Sequence, residues 1–353
     1  MHSTDRKPRL ALAGGCGSSG TTLLAHLLGR HSKIVTGPEL DFFNHPEAWS
    51  PVELAGAVDE LFGRRRLSSG YKLVVGFCKP AAEFGIDAAL VATWAKSSSR
   101  VADLCDKLAA HVCAGKGAQW YVEKTPTNVY GFDVLSLSVP GMPLIHQIRD
   151  GRDVAASLVR RGKTLFYAGS RWLYDTLAGL RARGRDGYLE LRYEDLVTDP
   201  GAVLARVLGA LGLVFEDGML SASGRVERAG EYLEAWRERA APKHWTSVPS
   251  DAVSSKSIGC GLRELSERQL SMLYRIRLTD RAAADLAAPV RTFGELLDLL
   301  GYPKSPSQPM HVGVGVRLNE AASEAADYVE RARRSLRYTR RLPRIVTRIG
   351  PEQ

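Results

Sequence analysis

A chain of 353 residues with 44% hydrophobic and 25% charged residues has the make-up of a globular protein, long enough to bury one large core or two modest ones, which argues against disorder. The net charge of +9, from 48 Lys and Arg against 39 Asp and Glu, points to an anionic ligand or surface without naming one. Five scattered cysteines, with no Cys-x-x-Cys pair and no His at zinc-ligand spacing, exclude a disulfide framework and a zinc site and read as reduced and mostly buried.

The chain opens polar and charged from Met1 to Pro8, and its first apolar run, Leu10–Ala13, is far too short for a signal-peptide core or a membrane span. No other stretch reaches spanning length, so residence in the cytoplasm is the expectation. Short apolar runs bounded by Gly, Pro and polar residues alternate with longer helical patterns, which predicts an α/β protein with a mainly parallel sheet. Strands are expected over Arg9–Ala13, Lys33–Thr36, Lys72–Phe77, Trp120–Glu123, Leu144–Ile148 and Leu189–Tyr193. The periodicity predicts helices over Thr21–Arg30, Pro51–Phe62, Ile86–Cys113, Asn128–Leu137, Arg152–Arg161, Tyr167–Arg183 and Ala202–Leu211. The second half is more helical, with Val226–Ala240, Glu264–Arg277 and Thr292–Leu300. No internal repeat is visible.

Pro303–Pro309 holds three prolines and cannot propagate a helix, so a catalytic domain over residues 1–302 and a Pro-containing linker with a basic tail over 303–353 are expected. Within the tail, Asn319–Leu342 has apolar residues at helical spacing, from Ala322 to Leu336, interleaved with arginines. Such a helix packs or stays solvated, or makes weak contact with a membrane surface or an acidic partner. Nucleic acid is not an expected partner.

Gly14-Gly15-Cys16-Gly17-Ser18-Ser19-Gly20-Thr21-Thr22 follows a predicted strand and opens a predicted helix. Glycines let such a backbone turn tightly, and the helix start presents unpaired N–H groups and partial positive charge to an anion. Hydroxyls from Ser18, Ser19, Thr21 and Thr22 add donors. Gly15-x-x-x-x-Gly20 has Walker A spacing, but Thr21 stands where that motif requires Lys, which argues against a nucleoside triphosphatase. Gly15-x-Gly17-x-x-Gly20 is also a literal dinucleotide fingerprint, with Glu39 or Asp41 at the distance of a ribose-binding acid.

A second strand–turn–helix, Leu144-Ile145-His146-Gln147-Ile148-Arg149-Asp150-Gly151, leads on to Ser157 and Arg161. Ser157 and Arg161 are four apart on one helix face and can reach the same object as Arg149 at the strand's end. Two guanidinium groups and a hydroxyl there form a second phosphate cradle. A dinucleotide enzyme does not need one.

Ser19-Gly20-Thr21-Thr22-Leu23-Leu24 resembles the 5′-phosphosulfate loop of sulfotransferases that use PAPS (3′-phosphoadenosine 5′-phosphosulfate), whose core is Ser-Gly-Thr-Thr. Gly37-Pro38-Glu39 is similar to the region where tyrosylprotein sulfotransferases and many bacterial sulfotransferases carry a catalytic Glu. Arg149 and Ser157 have the spacing of the family's 3′-phosphate motif. Glu123-Lys124-Thr125-Pro126 resembles its Lys-x-Pro element, and Tyr193-Glu194-Asp195-Leu196 its Tyr-Glu-Asp-Leu segment.

The resemblance implies a P-loop-NTPase-like three-layer fold and transfer of a sulfonate group from PAPS to an acceptor hydroxyl of a carbohydrate, lipid, peptide or small metabolite, releasing PAP (adenosine 3′,5′-bisphosphate), without a metal. It implies Glu39 as general base and Lys124 beside the sulfonate. Ser18 stands where the family carries Lys or Arg, so another cation must serve the leaving oxygen, with Lys124 the first candidate. Gly17, Ser18, Ser19, Gly20, Thr21 and Thr22 would hold the 5′ end, Arg149, Ser157 and Arg161 the 3′-phosphate. Tyr193 and Lys256, the latter in the loosely matching segment Val248–Leu265, would lie near the nucleotide. Asp41, His45 and His146 are reserves for the base. Two rivals stay open: an NAD(P)-dependent Rossmann-type oxidoreductase, and an inactive nucleotide-binding homologue marked by Ser18.

Overall fold

The computed structural model describes residues 7–63, 65–67, 73–75, 84–220, 253–302 and 347–349. In chain order they form β1 (Arg9–Gly14), α1 (Thr21–Leu28), β2 (Ile34–Thr36), α2 (Pro51–Gly63), β3 (Arg65–Leu67), β4 (Leu73–Val75), α3 (Ala88–Lys96), α4 (Val101–Cys113), β5 (Trp120–Lys124), α5 (Phe132–Ser138), β6 (Leu144–Ile148), α6 (Gly151–Arg160), α7 (Leu165–Leu180), β7 (Tyr188–Arg192), α8 (Tyr193–Thr198), α9 (Pro200–Leu211), α10 (Cys260–Glu264), α11 (Glu267–Arg275), β8 (Ile276–Leu278), α12 (Asp280–Asp285), α13 (Phe293–Leu299) and β9 (Thr347–Ile349). They fall into two compact units, one drawn from residues 1–15, 20–147 and 182–254, the other from 16–19, 148–181 and 255–353.

The first unit is built on a five-stranded sheet of order β2-β5-β1-β6-β7 in which β2/β5, β5/β1 and β1/β6 pair in parallel. Residues 10–14 of β1 and the whole of β5 are buried on both faces, as parallel strands covered by helices must be. On one face Ala11, Ala13 and Val122 pack under Leu24 and Leu28 of α1 and under α9, where Trp120 Nε1 donates to the Leu211 carbonyl at 2.9 Å. Leu10 and Leu12, on the opposite pleat, are buried too, and α4 packs against β1 and β5 through an apolar stripe that includes Leu104 and Leu108. This is the mainly parallel, helix-flanked α/β architecture expected from the sequence.

Four expectations need correction: Asn128–Leu137 starts as a 3-10 turn over Pro126–Tyr130 before α5, Glu264–Arg277 is broken at Leu265–Ser266 and ends in β8, and two longer runs differ as follows. The periodic run Ile86–Cys113 is not one helix, because Ser97–Arg100 diverts the backbone into side-chain bonds. Ser97 and Ser98 Oγ donate to the Thr93 and Trp94 carbonyls, Lys107 Nζ donates to the Ser97 carbonyl, and Asp103 accepts from the Ser99 and Arg100 amides, which closes one helix and starts the next. The apolar run expected as a strand over Lys72–Phe77 contributes Leu73–Val75, which pairs antiparallel with Arg65–Leu67 in a separate two-stranded ribbon. Val226–Ala240 and the Asn319–Leu342 helix lie outside the described residues.

β6 carries a fully buried imidazole, His146, whose Nδ1 lies 2.8 Å from the Tyr188 hydroxyl and whose ring meets the Phe132 ring edge-on. Burial, and next the charge of Arg183, hold its pKa down to about 3. An unfolded chain protonates His near 6.5, so the folded state binds fewer protons below that value and stability is lost as pH falls from about 6.5 towards 3. At pH 5 this residue alone costs about 2 kcal/mol. Melting temperatures of the wild type and of His146→Phe are expected to diverge accordingly: the wild type falls several degrees further between pH 7 and pH 5, whereas an equal fall would deny His146 a neutral folded state. The ring is fully buried, so solvent does not reach this reserve for a base.

In the second unit Asp150 caps α6 by accepting from the Arg152 amide at 2.9 Å, and Trp172 of α7 is fully buried over Gly151, where a Cβ would stand 2.5 Å from the indole. The Trp172 Nε1–H donates to the Arg149 carbonyl at 2.9 Å and so fixes the backbone at the end of β6. β8 pairs antiparallel with β9, which brings Thr347–Ile349 alongside Ile276–Leu278. Four cysteines among the described residues, Cys16, Cys105, Cys113 and Cys260, are free and buried, as expected. No helix among the described residues is long and apolar enough to cross a membrane.

Candidate active site

The register of the parallel strands brings the first set of residues together. Ala13 on β1 lies opposite Lys124 on β5, and Thr36 on β2 lies opposite Val122. Glu39, three residues beyond Thr36, therefore reaches the level of Lys124, two residues beyond Val122, at the carboxyl edge of the sheet where open α/β folds bind ligands. There Lys124 Nζ forms a charge-assisted hydrogen bond with Glu39 Oε1 and lies 3.5 Å from the Thr22 hydroxyl at the start of α1. The Lys124 side chain is only 6% exposed and that of Glu39 29%, so the carboxylate is the member of the pair that solvent or a second molecule can reach.

The loop between β1 and α1 begins and ends in close approaches. A Cβ on Gly15 would stand 2.2 Å from the Gln147 carbonyl oxygen, so no side chain fits there. Gly20 is the N-cap of α1 at φ 88°, and the Tyr193 ring lies against it. Thr21 is buried and Thr22 exposed in the first turn of the helix.

Residues 16–19, the tip of the loop, belong to the second unit. Ser18 adopts φ 77°, a left-handed conformation unusual for a residue with a Cβ. Its carbonyl accepts from Arg149 Nη1 at 3.0 Å. The Ser18 and Ser19 hydroxyl oxygens are buried with no hydrogen-bond partner among the described residues. A buried hydroxyl without a partner is costly, and two of them on a half-buried turn next to Gly17 are what a phosphate or sulfate oxygen would satisfy. The tip is held from below by α7: burial, then the Asp175 carboxylate, push the Cys16 thiol well above its ordinary pKa, and Arg171 in turn pairs with Asp175 at 2.8 Å.

Arg149 also donates to the Ser257 carbonyl at 2.6 Å and lies 3.6 Å from Asp153. Asp153, 1% exposed, accepts from the Gly259 and Gly261 amides at 2.8 and 2.7 Å, fastening residues 257–261 to α6. Burial, followed by the like charges of Arg160 and Arg149, lowers the pKa of Arg161. Arg149, Arg160 and Arg161 thus place three guanidinium groups near one another at the end of β6 and along α6. Ser157 is buried on α6, one turn before Arg161. Lys256 is exposed, and its carbonyl accepts from Arg263 at 2.9 Å. Arg152 takes no part in this cluster: its guanidinium, 1% exposed, pairs with Asp150 at 2.6 Å. The sequence offers Asp153 only as an ion-pair partner for Arg149 or Arg152 and gives no sign of Asp175; their hold on two backbone amides and on the Cys16 thiol appears only in the fold.

The structure therefore groups the expected residues in two sets, Thr22, Glu39, Lys124, Gly20 and Tyr193 in the first unit, and Ser18, Ser19, Arg149, Ser157, Arg161 and the 256–261 segment in the second. Each set lies on an α/β scaffold: the first holds a Lys–Glu pair at a sheet's carboxyl edge, and the second holds two buried, orphaned hydroxyls and Arg149.

The chain belongs to the Sulfotransferase family, whose model matches residues 12–217, more than half of its length. That span holds every expected site residue except Lys256. Among curated proteins, the nodulation protein NoeE of Sinorhizobium fredii (strain NBRC 101917 / NGR234) is 30% identical over 234 residues, 58% of this chain and 50% of the relative. The chain thus spans about half the length of the curated relative it matches. Among solved structures it is similar to the sulfotransferase domain of the Synechococcus PCC 7002 olefin synthase, with a TM-score of 0.47, 19% identity and coverage of 74% of this chain and 97% of that one. It is also similar to the sulfotransferase domain from the curacin biosynthetic pathway, with a TM-score of 0.46, 18% identity and coverage of 85% of this chain and 100% of that one.

Proposed function

We propose that this chain transfers a sulfonate group from PAPS to the hydroxyl of a carbohydrate, lipid, peptide or small metabolite and releases PAP. The observation that carries this reading is the Lys124–Glu39 pair beside the Thr22 hydroxyl. PAPS supplies a sulfur open to in-line attack and a phosphate oxygen that becomes negative as the bond to sulfur breaks. Glu39, the exposed member of the pair, takes the proton of the attacking hydroxyl. Lys124, buried and adjacent to the first turn of α1, supplies the positive charge for the leaving oxygen that Ser18 cannot.

The orphaned Ser18 and Ser19 hydroxyls and the amides at the start of α1 suit the 5′ end of the donor, and Arg149, Ser157 and Arg161 suit its 3′-phosphate. Arg149 is committed to two carbonyls and Asp153, which supports a fixed binding group rather than one that moves during the reaction. Tyr193, whose ring lies against Gly20, and Lys256 would lie along the nucleotide.

PAP at about 100 times its dissociation constant is expected to stabilise the protein by about 2.7 kcal/mol, a shift of roughly 5 °C or more, with NAD and ATP giving much less. Transfer of labelled sulfonate from PAPS to a panel of alcohols completes the test. A shift with NAD alone would return the oxidoreductase reading, and a PAP shift with no transfer to any alcohol would leave an inactive homologue.

A further inference from the structure

We propose that Glu123 and Thr125, the residues on either side of Lys124, are positioning residues that hold the Glu39 carboxylate in place against Lys124. The inference rests on the reading of Glu39 as the general base and Lys124 as the cation beside the leaving oxygen. Glu123 is fully buried, and both of its oxygens are taken: Oε1 accepts from the Leu40 amide at 3.1 Å and from the Thr125 hydroxyl at 2.7 Å, and Oε2 accepts from Asn128 Nδ2 at 2.5 Å. Thr125 Oγ1 accepts from the Asp41 amide at 3.1 Å while its own proton goes to Glu123. A hydroxyl has one donor and two acceptor lone pairs, so it can do both at once.

The consecutive amides of Leu40 and Asp41, immediately after Glu39, thus end on the two neighbours of Lys124. Two bonds from adjacent amides leave the backbone of that turn little freedom to slide or rotate. The turn needs such a hold, because Asp41 sits at φ 58°, in the left-handed region, which a residue with a Cβ leaves unless its surroundings retain it. Asp41 is itself tied down by Asn44 Nδ2 at 2.6 Å, and Asn44 reaches across to Thr127 Oγ1 at 2.9 Å. Glu123 also has a purely structural side, since Asn128, which it holds, donates to the Ala13 carbonyl on β1 at 3.1 Å. Among the described residues the Thr125 hydroxyl bonds only the Asp41 amide and Glu123, which makes it the better residue to perturb.

A reacting carboxylate displaced by about 1 Å loses on the order of a hundredfold in rate, while a donor held by other groups is unaffected. Thr125→Val keeps the shape and removes the hydroxyl, and Thr125→Ser restores it. The expected result is a kcat lower by about 10- to 100-fold in Thr125→Val, with the KM for PAPS and the PAP-induced melting shift within about twofold of wild type, and recovery to within about threefold in Thr125→Ser. Hydrogen exchange at the Leu40 and Asp41 amides is slow in the wild type and accelerates in Thr125→Val. Thr125→Ala serves if the valine variant does not fold.

An unchanged kcat, parallel losses of kcat and PAP affinity, or failure of Ser to restore activity would each overturn the proposal. Wild-type protein that binds PAP but transfers nothing would instead refute the functional reading. Even then, fast exchange at Leu40 and Asp41 in the wild type would show that the brace does not exist.

Discussion

Glu39→Gln is expected to bind PAP as the wild type does and to lose sulfonate transfer by about 10²- to 10⁴-fold in kcat, the usual range for removing a general base. The amide is nearly isosteric and its Oε1 can still accept from Lys124, so the pair's geometry and the backbone after it survive while the capacity to take a proton does not. Lys124→Ala tests the other half. If Lys124 works on charge that develops only as the bond to sulfur breaks, kcat falls by about 10²- to 10³-fold with little change in PAP affinity. Equal losses of turnover and affinity would make Lys124 an ordinary ground-state contact. Unchanged turnover in Glu39→Gln would remove the carboxylate from the reaction and reopen Asp41, the acidic reserve two residues on.

Much of this site was legible because its parts are local. The Gly15–Thr22 turn, the end of β6 at Arg149 and the Ser157/Arg161 face of α6 each declare themselves within a dozen residues, through glycines, a strand end and an i, i+4 spacing. The pairing of Glu39 with Lys124 is not local: 85 residues separate them, and it follows from β2 lying next to β5, an order that the periodicity of neither strand contains. Glu123 illustrates the same limit. In sequence it is one acid before a Lys, and only the 83-residue span to the Leu40 amide shows which backbone it holds. The misread run Ile86–Cys113 failed for the opposite reason, since its apolar spacing continues across Ser97–Ser99 while the serine hydroxyls compete for the carbonyls that would carry the helix on. Ser18 was legible as a missing charge. Its left-handed backbone and its carbonyl bond to Arg149 were not, because they depend on where β6 ends.

Gly20→Ala is expected to abolish the PAP-induced melting shift, to lower transfer by more than about 100-fold, and to destabilise the protein by roughly 2–4 kcal/mol. Two separate obstacles act on the one methyl group. At φ 88° a residue with a Cβ sits in a region that costs about 1–2 kcal/mol. The methyl would also stand 2.4 Å from Cδ2 of Tyr193, whose ring is 8% exposed and begins α8 directly after β7. Either the ring or the loop must move, and the loop is the part on which the proposed hold on PAP depends. The double variant Gly20→Ala/Tyr193→Leu separates the obstacles: it relieves the contact but not the backbone strain, so part of the stability returns while PAP binding stays weak. Gly56→Ala, at an exposed position in α2 with open space around its Cβ, is the control and should raise stability by about 0.5–1 kcal/mol through helix propensity alone. A Gly20→Ala protein that melts and binds PAP like the wild type would mean that the first turn of α1 does not take the left-handed entry described here, and with it the loop would lose its claim to the phosphate.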